Sequence, residues 1–139
     1  MANQRKKTAL VVSGGGAKGA FAVGAIDYLV GVEQKSFDII AGTSTGSLIA
    51  GIMAGGGQRQ LRSLYSNMVT EDFLKKKNTA IAVATENAIF DVEPFQNVLN
   101  VQMNDARAEA VLTGKTKIFL TTVSLQTGQI VYFHAGDSG

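Results

Sequence analysis

Two glycine-rich loops, at residues 13–19 and 42–46, each lie between a short apolar run and a helix-like segment. The first loop reads Ser-Gly-Gly-Gly-Ala-Lys-Gly and the second reads Gly-Thr-Ser-Thr-Gly. A strand, a loop and a helix repeated in this order are typical of α/β folds, in which parallel strands bring successive loops to the same edge of the sheet. We therefore predict an α/β domain with a mostly parallel sheet, in which the two loops lie side by side.

The second loop fits a G-x-S-x-G nucleophile elbow centred on Ser44. In such an elbow the serine lies on a tight turn between strand and helix, which imposes unfavourable backbone angles and requires small neighbours. A buried strand expected at 37–42 and a buried helix expected at 45–55 match this context. The alternative is that Ser44 or Thr45 only caps the helix N-terminus. The predicted elbow comprises Gly42, Thr43, Ser44, Thr45 and Gly46.

The first loop has two interpretations. Its spacing, Gly14-x-Gly16-x-x-Gly19, matches the dinucleotide-binding fingerprint. It also places a row of backbone N–H groups where they can hold an oxyanion during acyl transfer. Dinucleotide binding further requires an acidic residue at the carboxyl end of the next strand, whereas Asp38 precedes that strand. This position favours the oxyanion interpretation and leaves a dinucleotide-binding domain as the weaker alternative.

The two loops in this order closely resemble the G-G-G-x-K/R-G and G-x-S-x-G motifs of the patatin-like phospholipases and lipid acyl hydrolases. The resemblance is strong over residues 8–56 and looser at 90–95 and 121–133. It implies a three-layer α/β/α fold with a mostly parallel sheet. It also implies that residues 1–139 form a single, incomplete domain, the N-terminal portion of the catalytic domain.

The resemblance implies a serine lipid acyl hydrolase, of phospholipase A or esterase type, that uses a Ser-Asp dyad and no histidine. Ser44 attacks the ester carbonyl, and water then hydrolyses the acyl-enzyme. The predicted oxyanion loop comprises Gly14, Gly15, Gly16, Ala17, Lys18 and Gly19. Lys18 occupies the basic position of the family, where it steadies the loop, meets a phosphate or is simply solvated. The alternative function is a noncatalytic fragment of the same fold that binds a lipid or a partner.

The catalytic base is the missing part of this pattern. The family carries its aspartate in a D-G-G or D-G-A motif, and neither occurs among the 139 residues. Asp137 is the nearest candidate, but serine follows it and it comes directly after a predicted strand pair. His134 is a second candidate, which requires an acid between Ser44 and itself. We therefore expect the base to lie beyond residue 139 and this chain alone to be inactive or weak.

Composition argues against several other classes of protein. The chain has no cysteine, so it has no thiolate nucleophile and no cysteine metal site, and we expect no metal or cofactor. The net charge is only +2, and the basic clusters at 5–7 and 75–77 are not interleaved with aromatic residues, so nucleic acid is not an expected partner. No apolar run reaches membrane-spanning length. We expect a cytoplasmic protein, or one exported without a cleaved signal, that acts on a lipid or ester. Any membrane contact would be peripheral, and the sequence does not specify the oligomeric state.

Apolar periodicity predicts the remaining elements. Residues 18–32 form a predicted helix whose core-facing stripe comprises Phe21, Gly24, Ala25, Tyr28, Leu29 and Val32. Further helices are predicted at 58–68, from an N-cap at Asp91 toward Val101 with Pro94 in the first turn, and at 104–112. Further strands are predicted at 8–13, 117–125 and 129–134. The last two strands should form a hairpin around residues 126–128. Residues 69–90 have no clear period, so we expect a linker or a lid over the site there.

Overall fold

The computed structural model of the protein describes residues 6–67, 75–76, 90–91 and 93–136. Its strands are β1 (Ala9–Val12), β2 (Ile39–Thr43), β3 (Lys75–Lys76), β4 (Phe90–Asp91), β5 (Lys117–Val123) and β6 (Ile130–Ala135). Its α-helices are α1 (Gly19–Asp27), α2 (Thr45–Ala54), α3 (Gln58–Asn67), α4 (Glu93–Gln102) and α5 (Asp105–Thr113). The α/β fold class predicted from the sequence is confirmed.

The main sheet has the strand order β1-β2-β5-β6. Strands β1, β2 and β5 run parallel, with Val12 opposite Gly42 and Thr43 opposite Thr121. Strand β6 is antiparallel to β5 and is joined to it by the predicted hairpin, in which the Ser124 N–H donates to the Gln129 carbonyl at 2.9 Å. The carboxyl ends of β1 and β2 therefore share one edge of the sheet, and both glycine loops begin there.

The described helices pack on one face of the sheet. Both crossovers, from β1 to β2 and from β2 to β5, step across the sheet in the same direction, and right-handed crossovers then place their helices on the same side. One buried cluster beneath them comprises Val12, Val23, Ile26, Ile49, Ile52 and Leu61, and a second comprises Ile40, Ala50, Val111 and Ile118. On the opposite face, Val11 is 76% exposed and Tyr132 is 65% exposed. The described residues thus supply the sheet and one helical layer.

The predicted core-facing stripe of α1 is wrong. Phe21 is 84% exposed, and Tyr28 and Val32 are also more than half exposed. The buried residues of α1 are Gly19, Val23 and Ile26. A close contact sets this orientation: a Cβ built on Gly19 would lie only 2.7 Å from Thr45 Cγ2 and 2.9 Å from the Tyr65 hydroxyl. Gly19 must therefore face inward, and residues four and seven positions later follow it into the core.

The α1 segment also departs from regular spacing. After Asp27 the chain continues as a π-helical turn over Tyr28–Val32, which shifts the residues that follow relative to a 3.6-residue period. The Tyr28 hydroxyl donates to Glu33 Oε1 at 3.1 Å on the protein surface. The predicted stripe assumed one uninterrupted helix over 18–32, and that assumption fails at this turn.

The other predicted elements agree with the structure to within a few residues. Helix α4 begins at Glu93 and includes Pro94 in its first turn, but the predicted N-cap at Asp91 is wrong, because Asp91 is the last residue of β4. Asn104 caps α5 by accepting a hydrogen bond from the Arg107 N–H at 3.0 Å. Most of the predicted linker or lid at 69–90 lies outside the described residues. The part of it that is described belongs to the short antiparallel pair of β3 and β4. Within the described parts of the chain, no helix has both the length and the apolar character needed to cross a membrane.

Candidate active site

Ser44 lies between the last residue of β2 and the first residue of α2. Its backbone angles are φ 54° and ψ −125°. Among the described residues other than glycine, only Gln34 shares a positive φ. Such a conformation costs a non-glycine residue on the order of 1–3 kcal/mol and persists only where the surrounding structure imposes it. This geometry is what the G-x-S-x-G pattern predicts for the turn.

Glycine is needed on both sides of this turn because the backbone is crowded there. A Cβ built on Gly42 would overlap the Gly46 carbonyl. A Cβ built on Gly46 would overlap the Val12 carbonyl at the end of β1. The second overlap shows that the first turn of α2 packs directly against the neighbouring strand. The elbow is therefore held by β1 as well as by β2.

The Ser44 side chain is not used to cap α2. Ser44 occupies the N-cap position of the helix, yet its hydroxyl makes no capping hydrogen bond. The residue is exposed, and no hydrogen bond to its Oγ is found among the residues that the structure describes. The alternative interpretation of Ser44 as a simple helix cap is therefore not supported. The hydroxyl is available to an external group.

The first glycine loop packs against this elbow. A Cβ built on Gly14 would lie 2.9 Å from Ser44 Cβ, 3.1 Å from the Thr43 carbonyl oxygen and 3.6 Å from Ser44 Oγ. Gly16 has a φ of 56° and begins a short 3₁₀ turn, Gly16–Lys18, that leads into α1. The structure thus brings the two loops into direct contact, as their positions in the sequence predict.

Several amides of the first loop remain available. The Lys18 N–H donates to the Gly15 carbonyl at 3.1 Å, so it is occupied. The N–H groups of Gly15 and Gly16 donate no backbone hydrogen bond to any described residue. They lie just before the N-terminus of α1, where the helix dipole favours negative charge. The loop can therefore offer donors to an anion beside Ser44.

Ser47 was not singled out from the sequence. Its hydroxyl donates to the Gly42 carbonyl at 2.8 Å and lies 3.5 Å from the Thr121 carbonyl of β5. Its backbone N–H donates to the Ser44 carbonyl at 2.8 Å. The only signal in the sequence is a hydroxyl three residues after the proposed nucleophile, and that signal does not indicate which acceptor the hydroxyl finds.

His134 lies too far from Ser44 to act as its base. On β6 it pairs with Phe119, which pairs in turn with Ala41 on β2. With strands about 4.8 Å apart and a rise of about 3.3 Å per residue, the Cα atoms of His134 and Ser44 lie about 14 Å apart. The His134 ring instead packs near the Phe119 ring, with centroids 6.2 Å apart. The interpretation of His134 as a catalytic base is therefore wrong, and Asp137 lies outside the described residues.

Asp38 lies at the opposite edge of the sheet from Ser44. The Thr8 N–H donates to its Oδ2 at 2.8 Å, and the Lys117 N–H donates to its backbone carbonyl at 2.9 Å. Asp38 thereby connects the segments that lead into β1, β2 and β5. A ribose bound across the carboxyl edge cannot reach this carboxylate. The dinucleotide-binding alternative thus lacks its acidic residue in the structure as well as in the sequence.

Tyr65 of α3 packs beside the start of α1, where its hydroxyl would lie 2.9 Å from a Cβ on Gly19. Burial raises the pKa of the Tyr65 phenol above its ordinary value of 10.0. The phenol is therefore protonated at neutral pH and is not a candidate base. Tyr65 also lines an apolar cavity between α2, α3 and α4 of only about 20 Å³. That volume holds about one water-sized group, so the cavity is too small to bind an acyl chain.

Residues 10–135 match the family model of the patatin-like phospholipases. The chain belongs to this family. It is 33% identical to the cUMP-AMP-activated phospholipase of Escherichia coli over 98 residues, which are 65% of this chain and 31% of that protein. It is 37% identical to an uncharacterized protein of Acanthamoeba polyphaga mimivirus over 117 residues, which are 75% of this chain and 32% of that protein. No solved structure matches the chain significantly.

This patatin-like phospholipase chain spans about a third of the length of the curated relatives it matches. The family match extends from the second residue of β1 to the last residue of β6, so it covers all of the main sheet except Ala9. Family membership supports lipid hydrolysis as the general class of activity. The reaction type and the residues that perform it are proposed next.

Proposed function

We propose that Ser44 is the nucleophile of a serine lipid acyl hydrolase, of phospholipase A or esterase type, and that this chain is the N-terminal portion of its catalytic domain. The observation that carries the proposal is the positive-φ turn at Ser44, whose free hydroxyl lies against the glycine loop at Gly14. A serine held in this way projects from the end of its strand toward an approaching ester. The proposed substrate is a lipid ester that a cytoplasmic enzyme meets at a membrane surface.

In the proposed reaction, Ser44 Oγ bonds to the ester carbonyl carbon while the hydroxyl proton passes to an aspartate. The bond from the carbonyl carbon to the alcohol oxygen then breaks, and the alcohol leaves with that proton. Water attacks the resulting acyl-serine, releases the fatty acid and regenerates the hydroxyl. The aspartate lies outside the described residues: Asp137 is the nearest candidate, and a D-G-G or D-G-A motif further along the parent chain is the one we favour.

The first glycine loop supplies the other half of the proposed site. As Ser44 attacks, negative charge develops on the carbonyl oxygen, and donors already in place lower the energy of that state. The proposed donors are the amides of Gly15 and Gly16, which donate no backbone hydrogen bond to a described residue, and the N-terminus of α1 adds a favourable dipole. Loss of one such donor from an oxyanion hole typically costs a factor of about 10²–10³ in rate.

A noncatalytic fragment that binds lipid or a partner is the second candidate. It is favoured by one observation, the absence of a D-G-G or D-G-A motif from the 139 residues. Such a fragment has the same loops but no group able to remove the proton from Ser44. The two candidates therefore differ in whether Ser44 is reactive.

Covalent labelling with a fluorophosphonate distinguishes them. We expect the probe to label the protein in its full natural length, Ser44→Ala to abolish the label, and Ser36→Ala, at an exposed loop serine far from the elbow, to retain it. For residues 1–139 alone we expect slow labelling or none. Failure of the full-length protein to label contradicts the enzyme proposal and leaves the noncatalytic one.

A further inference from the structure

We propose that Ser47 is a positioning residue that holds the Ser44 elbow in its reactive conformation. This inference rests on the proposed role of Ser44 as nucleophile. The Ser47 hydroxyl donates to the carbonyl of Gly42, two residues before Ser44, and the Ser47 N–H donates to the carbonyl of Ser44 itself. Both distances are 2.8 Å. Ser47 therefore links Gly42, where the backbone enters the turn, to Ser44, at the centre of the turn.

The Ser47 hydroxyl bond differs from ordinary helix capping. Ser47 is the third residue of α2, a position from which a Glu or Gln side chain in a capping box turns back to accept a hydrogen bond from the N–H of the N-cap residue. Here the hydroxyl is instead a donor, and its acceptor belongs to β2. The nearby Thr121 carbonyl belongs to β5, so the hydroxyl lies close to two neighbouring strands at the level where β2 ends. Its position is suited to fixing the helix on the sheet.

The elbow needs such a constraint because its conformation is intrinsically unfavourable. A φ of 54° at Ser44 is retained only where neighbouring contacts impose it. Without the Ser47 hydroxyl, the Gly42 carbonyl loses its side-chain donor, and the turn loses one of the contacts that oppose its relaxation toward an ordinary helix N-terminus. Ser44 Oγ would then move away from the Gly14 loop. A displacement of about 1 Å at a reacting group costs up to about 10²-fold in rate.

The test is the kinetics of fluorophosphonate labelling in the protein at its full natural length. For Ser47→Ala we expect the maximal labelling rate to fall by about tenfold, with the half-saturating probe concentration unchanged, because the chemical step and not probe binding is impaired. Ser47→Thr keeps the hydroxyl and should recover most of the rate. Ser47→Cys, nearly the same size but a weak donor, should fall between the two.

Thr116→Val is the matched control. The Thr116 hydroxyl donates to the Phe37 carbonyl at 3.3 Å, and this bond joins the segments before β5 and β2 at the opposite edge of the sheet. Its loss removes the same kind of hydrogen bond without touching the elbow. We expect Thr116→Val to lower thermal stability about as much as Ser47→Ala while its labelling rate stays at the wild-type value.

Each outcome of these experiments has a distinct meaning. A wild-type labelling rate in Ser47→Ala overturns the inference and leaves Ser44 as nucleophile. Equal slowing of labelling in Ser47→Ala and Thr116→Val shows that Ser47 is merely structural, which also overturns it. If Ser47→Ala does not fold, Ser47→Cys decides, since a wild-type rate there contradicts the need for a donor. Absence of labelling in the wild-type protein refutes the proposed function itself.

Discussion

Ser44 holds a backbone φ of 54°, and three glycines, Gly14, Gly42 and Gly46, lie at the crowded points of its turn. Gly14 is the most informative of them because it belongs to the other loop. A Cβ at Gly14 would lie 2.9 Å from Ser44 Cβ, closer than real Cβ atoms approach one another. The glycine at this position is therefore needed for contact between two loops, in addition to the flexibility that it gives its own backbone.

Gly14→Ala should impair the site more than the fold. The added methyl forces the first loop away from Ser44, so we expect fluorophosphonate labelling to slow by at least about tenfold. Gly24→Ala is the matched control, because a Cβ at Gly24 meets no atom within 4 Å on the surface of α1. That change should stabilise the helix by about 0.5–1 kcal/mol and leave labelling unaffected. Thermal unfolding and labelling kinetics together check both outcomes, and equal labelling of the two variants contradicts the proposed loop contact.

Helix α1 shows how a contact between elements overrides a pattern within one element. The stripe predicted to face the core includes Phe21, which lies on the surface because Gly19 must lie against Thr45 and Tyr65. The sequence predicts the strands, the order of loops and the elbow, because these depend on local patterns. The rotation of α1 and the acceptor of the Ser47 hydroxyl depend on atoms brought close by folding, and no spacing within the sequence encodes them.

Helix α3 should contribute strongly to stability through one residue. Leu61 is 1% exposed and lies in the cluster that joins α1, α2 and β1. Leu61→Ala removes this packing and leaves a cavity, so we expect a loss of about 2–5 kcal/mol in the free energy of unfolding. Leu125→Ala, at a fully exposed residue after β5, should change it by less than about 0.5 kcal/mol. Urea denaturation measures both, and a loss below about 1 kcal/mol for Leu61→Ala would contradict this packing.

Across the whole molecule, the described helices form a single layer, and one face of the sheet carries exposed apolar side chains such as Val11 and Tyr132. The curated relatives are about three times as long as the part of them that this chain matches.

The sequence correctly predicted the parallel strands and the terminal hairpin, since each has its own loop or turn signal. It did not identify the catalytic base, because no residue of the chain carries the family motif for it.

The pH dependence of unfolding is a property of the whole molecule that Tyr65 should influence. Burial raises the pKa of its phenol in the folded state above the ordinary value of 10.0, so the folded protein retains this proton more strongly than the unfolded chain. The resulting stabilisation is fully present below about pH 10 and is lost as pH rises through the higher folded pKa. Between pH 8 and pH 11 the free energy of unfolding should decline less in Tyr65→Phe than in the wild type, which denaturation at the two pH values measures. Equal declines would contradict the burial of the phenol.

The close approach of Gly46 to the end of β1 also affects how the protein folds. The turn at Ser44 is short in sequence, but it closes only when residues more than thirty positions earlier have docked beside it. Contacts of such sequence separation form slowly because the intervening chain must first lose its conformational freedom. During refolding, α2 can therefore become helical well before the elbow acquires its final shape. Reactivity at Ser44 would then be among the last properties to return. The rate of its recovery would report how fast this edge of the sheet assembles.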